Sequence, residues 1–294
     1  MDAGSRPHAP GTALAVTAAG ACVLRAGDDT MAAVVPFLRT PKTRKFMGKQ
    51  DRMAVIAAGR ALAQASLGTE RLRERIGFYI AVGYIPFERP DIEMLAKHSM
   101  DAGGFSMARF SGEGIHRVNP LLTFRCLPNM PMFHVSANFG LQGGYFVTYP
   151  GAGQLYVALE EAVCALEGGE IDCALVGGVA DQENFLVDYG LRRAPPHEGA
   201  RAVDAAAFIV IERESDAVAR GATPRLRLAT LDVAYTAQGG AIHEEEEGGG
   251  ERGDYFGPAS LPAALAEAVA RRASLNHRVA TRDGFRAAST WEAA

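Results

Sequence analysis

The stretch from Asn138 to Val179 constrains the fold most, because a strand, a turn, a helix and a second strand follow one another there. Its apolar patterns predict a short strand from Tyr145 to Tyr149, a helix from Gln154 to Leu166 and a buried strand from Cys173 to Val176. In such units the helix N terminus commonly carries a nucleophile, because its unpaired N–H groups stabilise an anion. The turn from Pro150 to Gly153 contains only proline, glycine and alanine. The position for a nucleophile is present, and no nucleophile occupies it.

The rest of the chain continues this alternation of strands and helices. Apolar runs predict further strands at Ala13 to Thr17, Arg75 to Tyr84, Val203 to Glu212 and Arg225 to Tyr235. Helical spacing predicts helices at Asp51 to Ser66, Asp91 to Met100, Ser215 to Arg220 and Leu261 to Ala273, and a hairpin joins His277–Ala280 to Gly284–Ser289. We expect a layered α/β fold with a mostly parallel sheet and no internal repeat.

Three segments are predicted to lie outside regular structure. Gly103 to Gly114 and Asp181 to Ala200 are expected to be loops, and Thr236 to Asp254 is an acidic, glycine-rich tract without an apolar period. The tract suggests three parts: an α/β domain over 1–235, an acidic loop over 236–256, and a short helix and hairpin over 257–294 that pack on the same domain.

Composition and charge exclude several classes of function. The net charge of −4, with no stripe of lysine and arginine, argues against nucleic-acid binding. No apolar run is long enough to cross a membrane. The run from Gly11 to Leu24 allows a signal peptide, but a first strand is the simpler interpretation, and we expect a cytoplasmic protein. The four cysteines, Cys22, Cys126, Cys164 and Cys173, lie singly in apolar runs and are expected to be buried thiols.

Other candidate side chains carry weaker signals. His134 is expected to be a buried core histidine, whereas His116, His197 and His277 are expected to be exposed. Asp181, Glu183 and Asp188 follow a strand and could face a cleft, but a solvated loop is the preferred interpretation. The glycine-rich segments lack the spacing and the lysine of nucleotide-binding motifs. We therefore expect no cofactor and no metal.

Four motifs in sequence order resemble the N-terminal half of β-ketoacyl synthases, condensing enzymes with a thiolase-like fold. They are RKFM leading to DRMA (Arg44 to Ala54), NP followed by LPNM (Asn119 to Met130), LEEAVCALEGGEIDCALVGG (Leu159 to Gly178) and AAAFIVIERESDAVARGAT (Ala205 to Thr223). The third is the most specific, and the resemblance covers Ala13 to Tyr235. It implies a ketosynthase-like fold whose C-terminal portion is truncated.

The resemblance also implies that the chemistry has been lost. The acyl-accepting cysteine of active members falls on Ala152, and a methyl group cannot form a thioester. Their two catalytic histidines belong to a C-terminal half for which the chain after Tyr235 is too short. Cys164 is too far along the helix to substitute and is expected to be core, and Thr148 and Tyr149 have no identifiable base. Gln154 resembles the glutamine that replaces cysteine in some relatives, although it lies two positions late.

Three functions remain open. The leading one resembles a chain-length factor of a type II polyketide system, of the aryl-polyene type: a non-catalytic subunit that pairs with an active ketosynthase, as a heterodimer or a dimer of heterodimers, which an acyl carrier protein visits. The residues expected at its tunnel or interface are Phe124, Leu127, Met130, Phe146, Thr148, Tyr149, Gln154 and Tyr156, with Phe146 to Ala158 as the interface segment. The alternatives are a decarboxylase or acyltransferase that uses Gln154, and a homodimeric scaffold.

Overall fold

The structure is a computed structural model that describes residues 10–25, 27–67, 73–87, 89–125, 127–193, 200–235, 244–247, 254–281 and 284–294. The strands are β1 (Leu14–Val23), β2 (Ile76–Val82), β3 (Met100–Asp101), β4 (Gly104–Phe105), β5 (Tyr145–Thr148), β6 (Cys173–Ala180), β7 (Arg201–Ala202), β8 (Ala205–Arg213), β9 (Leu226–Tyr235), β10 (Glu244–Glu247), β11 (Asp254–Tyr255), β12 (Leu275–Thr281) and β13 (Phe285–Ala293).

The helices range from single turns to five turns. They are α1 (Thr30–Ala33), α2 (Lys49–Ala65), α3 (Arg89–Ser99), α4 (Met107–Arg109), α5 (Ile115–Arg117), α6 (Leu122–Arg125), α7 (Met130–Phe139), α8 (Gln154–Glu167), α9 (Phe185–Arg193), α10 (Glu214–Ala219) and α11 (Ser260–Arg271). The predicted central unit of strand, turn, helix and strand is confirmed as β5, α8 and β6, and the predicted C-terminal hairpin is β12 and β13.

Nine strands form one mixed sheet in the order β10-β12-β13-β9-β1-β8-β6-β2-β5. Only β5, β2 and β6 run parallel to one another, and every other neighbouring pair in this sheet is antiparallel. The α/β class is confirmed, but the expectation of a mostly parallel sheet is wrong. A continuous apolar run indicates that both faces of a strand are buried. It does not indicate strand direction, because an antiparallel strand that is covered on both faces has the same pattern.

The sheet contains two related units, although the sequence shows no repeat. In the first, α8 precedes β6, and β6, β8 and β1 are antiparallel neighbours. In the second, α11 precedes β12, and β12, β13 and β9 are antiparallel neighbours in the same order. The two units meet where Ala15 and Val16 of β1 pair with Arg227 and Leu226 of β9. The C-terminal hairpin is therefore part of the same sheet, and the helix α11 packs on it.

Each face of the sheet is covered by a separate apolar cluster. On one face α2 contributes Met53 and Ile56, which belong to one cluster with Phe208 of β8. On the other face α8 and α11 share a cluster that includes Leu159 and Leu265. Gly20 permits close contact between β1 and α2, because a Cβ atom there would lie 2.4 Å from the carbonyl oxygen of Ala57.

Several predicted boundaries change in the structure. The strand β1 continues to Val23 instead of turning at Gly20, and β6 passes through its two glycines to Ala180. The predicted loops at 103–114 and 181–200 contain the short strand β4 and helix α4, and the helix α9. Within the acidic tract, Glu244 to Glu247 form β10, which pairs with β12. Most of that tract, Arg282, Asp283, Cys126 and His197 lie outside the described residues.

Among the helices that the structure describes, none combines the length and the apolar character that crossing a bilayer requires.

Candidate functional site

The turn before α8 is compact and closed. Ala152 is only 3% exposed, and Gly151 has a φ of 109°, which glycine adopts without steric penalty. The N–H groups of Gln154, Leu155 and Tyr156 donate to the carbonyl oxygens of Gly151, Ala152 and Gly153, respectively, at 3.1–3.3 Å. These three N–H groups at the helix end are therefore already used within the turn.

The C-terminal hairpin covers this turn. Phe285, the first residue of β13, lies against Gly153, where an added Cβ atom would lie 2.7 Å from Cε1 of the ring. Phe285 packs against the apolar cluster that contains Ala152 and Tyr156. Any side chain at position 153 would therefore require this ring to move.

A buried hydrogen-bond network connects α8 to the hairpin. The hydroxyl of Tyr156 donates to the carbonyl oxygen of His277 at 2.8 Å and lies 2.8 Å from Nδ1 of the same histidine. It also lies 3.2 Å from Oγ of Ser289, which accepts from Nε1 of Trp291 at 2.9 Å. All four side chains are buried, so the expectation that His277 is exposed is wrong. Tyr156 contributes no exposed surface, and any effect of it on an interface must be indirect.

The strand β5 forms one edge of the sheet. In the described part of the chain β5 pairs only with β2. Tyr145 is 70% exposed, Phe146 is half-buried, and the buried Thr148 hydroxyl donates to the carbonyl oxygen of Gln154 at 2.9 Å. Of the predicted interface segment, this strand and the partly exposed Gln154 and Tyr149 reach the surface, whereas Leu155, Tyr156 and Ala158 are buried.

Tyr149, the residue that follows β5, contacts a backbone N–H group and a second aromatic ring. Its hydroxyl accepts from the N–H of Ile85 at 3.3 Å, and its ring meets that of Tyr84 edge to face, with centroids 6.2 Å apart. Both rings are partly exposed. The edge of the sheet is thus extended by aromatic surface.

The predicted tunnel residues lie at or near an apolar groove of about 740 Å³. Phe124 and Met130 line it, together with Phe46, Leu121 and Phe133. Phe124 is 54% exposed and Leu127, outside the groove lining, is 49% exposed, whereas Met130 is buried. His134 at the groove wall is buried as expected, and burial lowers its pKa to about 4, so the imidazole is neutral at physiological pH.

Two other expectations are corrected. Cys164 is exposed on α8, and partial burial of its sulfur together with the charges of Glu160, Glu161 and Glu167 raises its pKa, which makes the thiol a weak nucleophile. Asp181 is buried instead of solvated, with Oδ1 2.7 Å from Nζ of Lys49. Glu183 and Asp188 are exposed, as a solvated segment predicts. Within the described residues, no group of three or more histidines, cysteines or carboxylates is placed to hold a metal ion.

Sequence comparison identifies the family. The model of the β-ketoacyl synthase N-terminal domain matches residues 11–217. The chain belongs to the β-ketoacyl synthase family. None of the curated proteins compared with the sequence matches it. The match covers both the turn with Ala152 and the strand β5.

Solved structures share the ketosynthase fold at low sequence identity. One, a type II polyketide synthase acyl-carrier protein in complex with its ketosynthase bound to the hexaketide, has a TM-score of 0.58 and 19% identity. The ishigamide ketosynthase/chain length factor has a TM-score of 0.56 and 18% identity, and a β-ketoacyl synthase from Burkholderia phymatum STM815 has 0.57 and 17%. Each alignment covers 76% of this chain, and 69%, 64% and 64% of those chains, respectively.

The turn is predictable from the sequence, but the residues that cover it are not. Phe285, His277, Ser289 and Trp291 all come from a hairpin that was predicted as a hairpin only. Alternation along β13 places Ala287, Ser289 and Trp291 on one buried face. That period of two was the available signal, but it could not show that the face is turned toward α8.

Proposed function

We propose that this chain is a non-catalytic ketosynthase-like subunit of the chain-length-factor type. It pairs with an active ketosynthase and shapes the tunnel that holds the growing acyl or polyketide chain, in polyketide or fatty-acid-type synthesis. The observation that carries the proposal is the buried alanine in the turn where the family's cysteine belongs.

The chemistry of acyl transfer supports this interpretation. A condensing step needs a nucleophile that forms a thioester, and donors that stabilise the oxyanion of the tetrahedral intermediate. Ala152 offers a methyl group, and the neighbouring N–H groups already donate to carbonyl oxygens of the turn. Gln154 has a half-buried side chain, and no general base among the described residues is hydrogen-bonded to it. Partner binding explains the retained fold better than catalysis does.

The edge strand β5 supports the proposal that the chain binds a partner. An unpaired edge with exposed aromatic side chains favours pairing with another chain, and antiparallel alignment of two such strands completes their backbone hydrogen bonds. The partner we propose is the ketosynthase, in a heterodimer or a dimer of heterodimers, with transient visits by the acyl carrier protein in the cytoplasm. The ishigamide ketosynthase/chain length factor supplies a structural precedent for such a pair.

The groove supports a role in shaping a tunnel. Phe124 and Leu127 expose large apolar side chains near Met130, as residues that contact an acyl chain or a partner surface would. Aryl-polyene synthesis is the system that we propose, because the chain resembles the degenerate partner subunits of that type.

Turnover of malonyl-loaded acyl carrier protein tests the non-catalytic assignment. The purified chain alone should release no carbon dioxide, while its complex with its cognate ketosynthase should condense acyl groups. A Gln154→Ala variant of the chain, assayed alone, should likewise release none. Decarboxylation by the chain alone, lost in Gln154→Ala, would instead establish an enzyme that uses Gln154.

A further inference from the structure

A cleft of about 1250 Å³ lies between α11 and β1, and none of the residues of the turn at 150–153 lines it. Small side chains form much of its apolar wall: Ala263, Ala266 and Ala270 on α11, and Ala19 and Ala21 on β1. The alanines of α11 span seven residues, which corresponds to about 10 Å along the helix. The cleft therefore has the length of a medium-sized alkyl chain.

The cleft exists because two central strands separate. β1 pairs with β9 only at Ala15 and Val16, and its register with β8, its neighbour on the other side, shifts between Val16 and Ala18. Beyond that point the N–H of Ala19 donates to Oε1 of Gln64 at 2.7 Å, instead of to a neighbouring strand. A side chain of α2 thus satisfies this backbone donor of the cleft lining.

The cations of the cleft differ in their partners. Nζ of Lys49 lies 2.7 Å from Oδ2 of Asp204, and Arg201 pairs with Asp254 at 2.6 Å. The Nε atom of Arg225 is buried and has no hydrogen-bond partner among the described residues. Neither Arg225 nor Arg272, which also lines the cleft, forms an ion pair with any described carboxylate.

A buried donor without an acceptor is uncommon in proteins, because it loses its hydrogen bonds to water without replacement. A guanidinium group presents a planar fork of donors that matches a carboxylate or a phosphate. The buried Nε atom is closed to a ligand, and the two terminal nitrogens of Arg225, which are neither buried nor hydrogen-bonded to a described residue, are the donors that an anionic ligand in the cleft can reach.

We propose that this cleft binds an anionic amphiphile, with its carboxylate or phosphate head on Arg225 and its alkyl chain along the alanines of α11 and β1. Arg272 adds positive charge at the same cleft. None of the residues that line this cleft belongs to the turn at 150–153 or to β5, the edge proposed to bind the ketosynthase.

Isothermal titration of the purified full-length chain with decanoate, decyl phosphate and decanol tests the proposal. At least one of the two anions should bind saturably, and decanol should bind at least about tenfold more weakly, because it lacks the charge. The better of decanoate and decyl phosphate identifies the head group.

Two variants locate the site. Arg225→Gln should weaken binding of the preferred anion at least about tenfold, while Arg227→Gln, two residues further along the chain, which pairs with Glu214 outside the cleft, should not. Ala266→Leu should also weaken binding by filling the cleft, and it keeps the proposal testable if Arg225→Gln does not fold.

Absence of saturable binding by both anions, equal binding of decanol, or unchanged binding by folded Ala266→Leu would overturn the proposal. None of these results would bear on pairing with a ketosynthase, because the cleft includes no residue of β5 or of the turn.

Discussion

Lys49 joins three parts of the fold through buried charges. Its Nζ atom lies 2.7 Å from both Asp181, which follows β6, and Asp204, which precedes β8. Burial alone would lower the pKa of Lys49, but the charges and hydrogen bonds of the two aspartates raise it above its usual value. Burial raises the pKa of Asp181 to about 6, although Lys49 opposes that effect. The start of α2 is thus attached to two strand ends.

The raised pKa of Asp181 makes stability depend on pH. Between about pH 4 and pH 6 the folded chain holds a proton on Asp181 that the unfolded chain has released, so the contribution of this group to stability falls as pH rises. Asp181→Asn should remove this contribution, and the difference in unfolding free energy between wild type and variant should change by roughly 2 kcal/mol over that range. Urea titrations at several pH values measure it. Asp188→Asn, at an exposed carboxylate, is the control; an unchanged difference for Asp181→Asn would contradict the assignment.

Removal of the Tyr156 hydroxyl should destabilise the fold. Tyr156→Phe leaves the carbonyl oxygen of His277 and the hydroxyl of Ser289 with fewer partners in a buried site. We expect a loss of about 1–3 kcal/mol in unfolding free energy. Tyr145→Phe, at an exposed position, should change it by much less. Equal stability of Tyr156→Phe and wild type would show that the network does not hold the hairpin.

The burial or exposure of a single residue could be predicted where the sequence pattern of its own element determines it. The burial of His134 was predicted from its apolar neighbours and is confirmed. The exposure of Cys164 could also have been predicted, because Cys164 lies on the same helical stripe as Glu160, Glu161 and Glu167. The burial of His277 was not, because its partner Tyr156 is distant in sequence and belongs to another element.

At the scale of elements, the turn before α8 and the hairpin that covers it act together. Ala152→Cys should restore a thiol without restoring condensation, because Phe285 covers the turn and the adjacent N–H groups are occupied. Iodoacetamide should label the thiol introduced by Ala152→Cys slowly in a Cys164→Ala background, and roughly tenfold faster when Phe285→Ala is added. Mass spectrometry of the labelled peptide measures both rates. Equal rates, or condensation by the single variant, would show that the turn is accessible.

Elements whose own sequence has a clear hydrophobic period could be predicted. Elements that form only because a neighbouring element pairs with them could not. The helix α8 and the hairpin of β12 and β13 carry local patterns and were found. The strand β10 consists of four glutamates and has no apolar period, and it is a strand because β12 pairs with it. The helix α9 was hidden in a segment that the sequence suggested was a loop.

At the scale of the whole molecule, the fold is a ketosynthase scaffold whose exposed edge is β5. The N–H of Phe78 donates to the carbonyl oxygen of Gly144 at 2.8 Å. In the alternating parallel ladder that follows, the N–H groups of Phe146 and Thr148 face β2, and that of Val147 faces the open edge. Strand direction across the sheet was not predictable, because it depends on how distant segments pair.

This geometry provides a selective test of strand pairing. Val147→Pro should remove an edge donor and place a ring in the path of an incoming strand, while leaving the ladder to β2 intact. Val147→Thr keeps the N–H group and the branched shape, and is the matched control. Circular dichroism should show that both variants are folded.

Co-purification with the cognate ketosynthase tests the central claim most directly. The tagged wild-type chain and Val147→Thr should retain the ketosynthase in equal amounts through affinity and size-exclusion chromatography, and folded Val147→Pro should lose it. Failure of the wild-type chain to retain the ketosynthase, or full retention by Val147→Pro, would contradict pairing through the β5 edge.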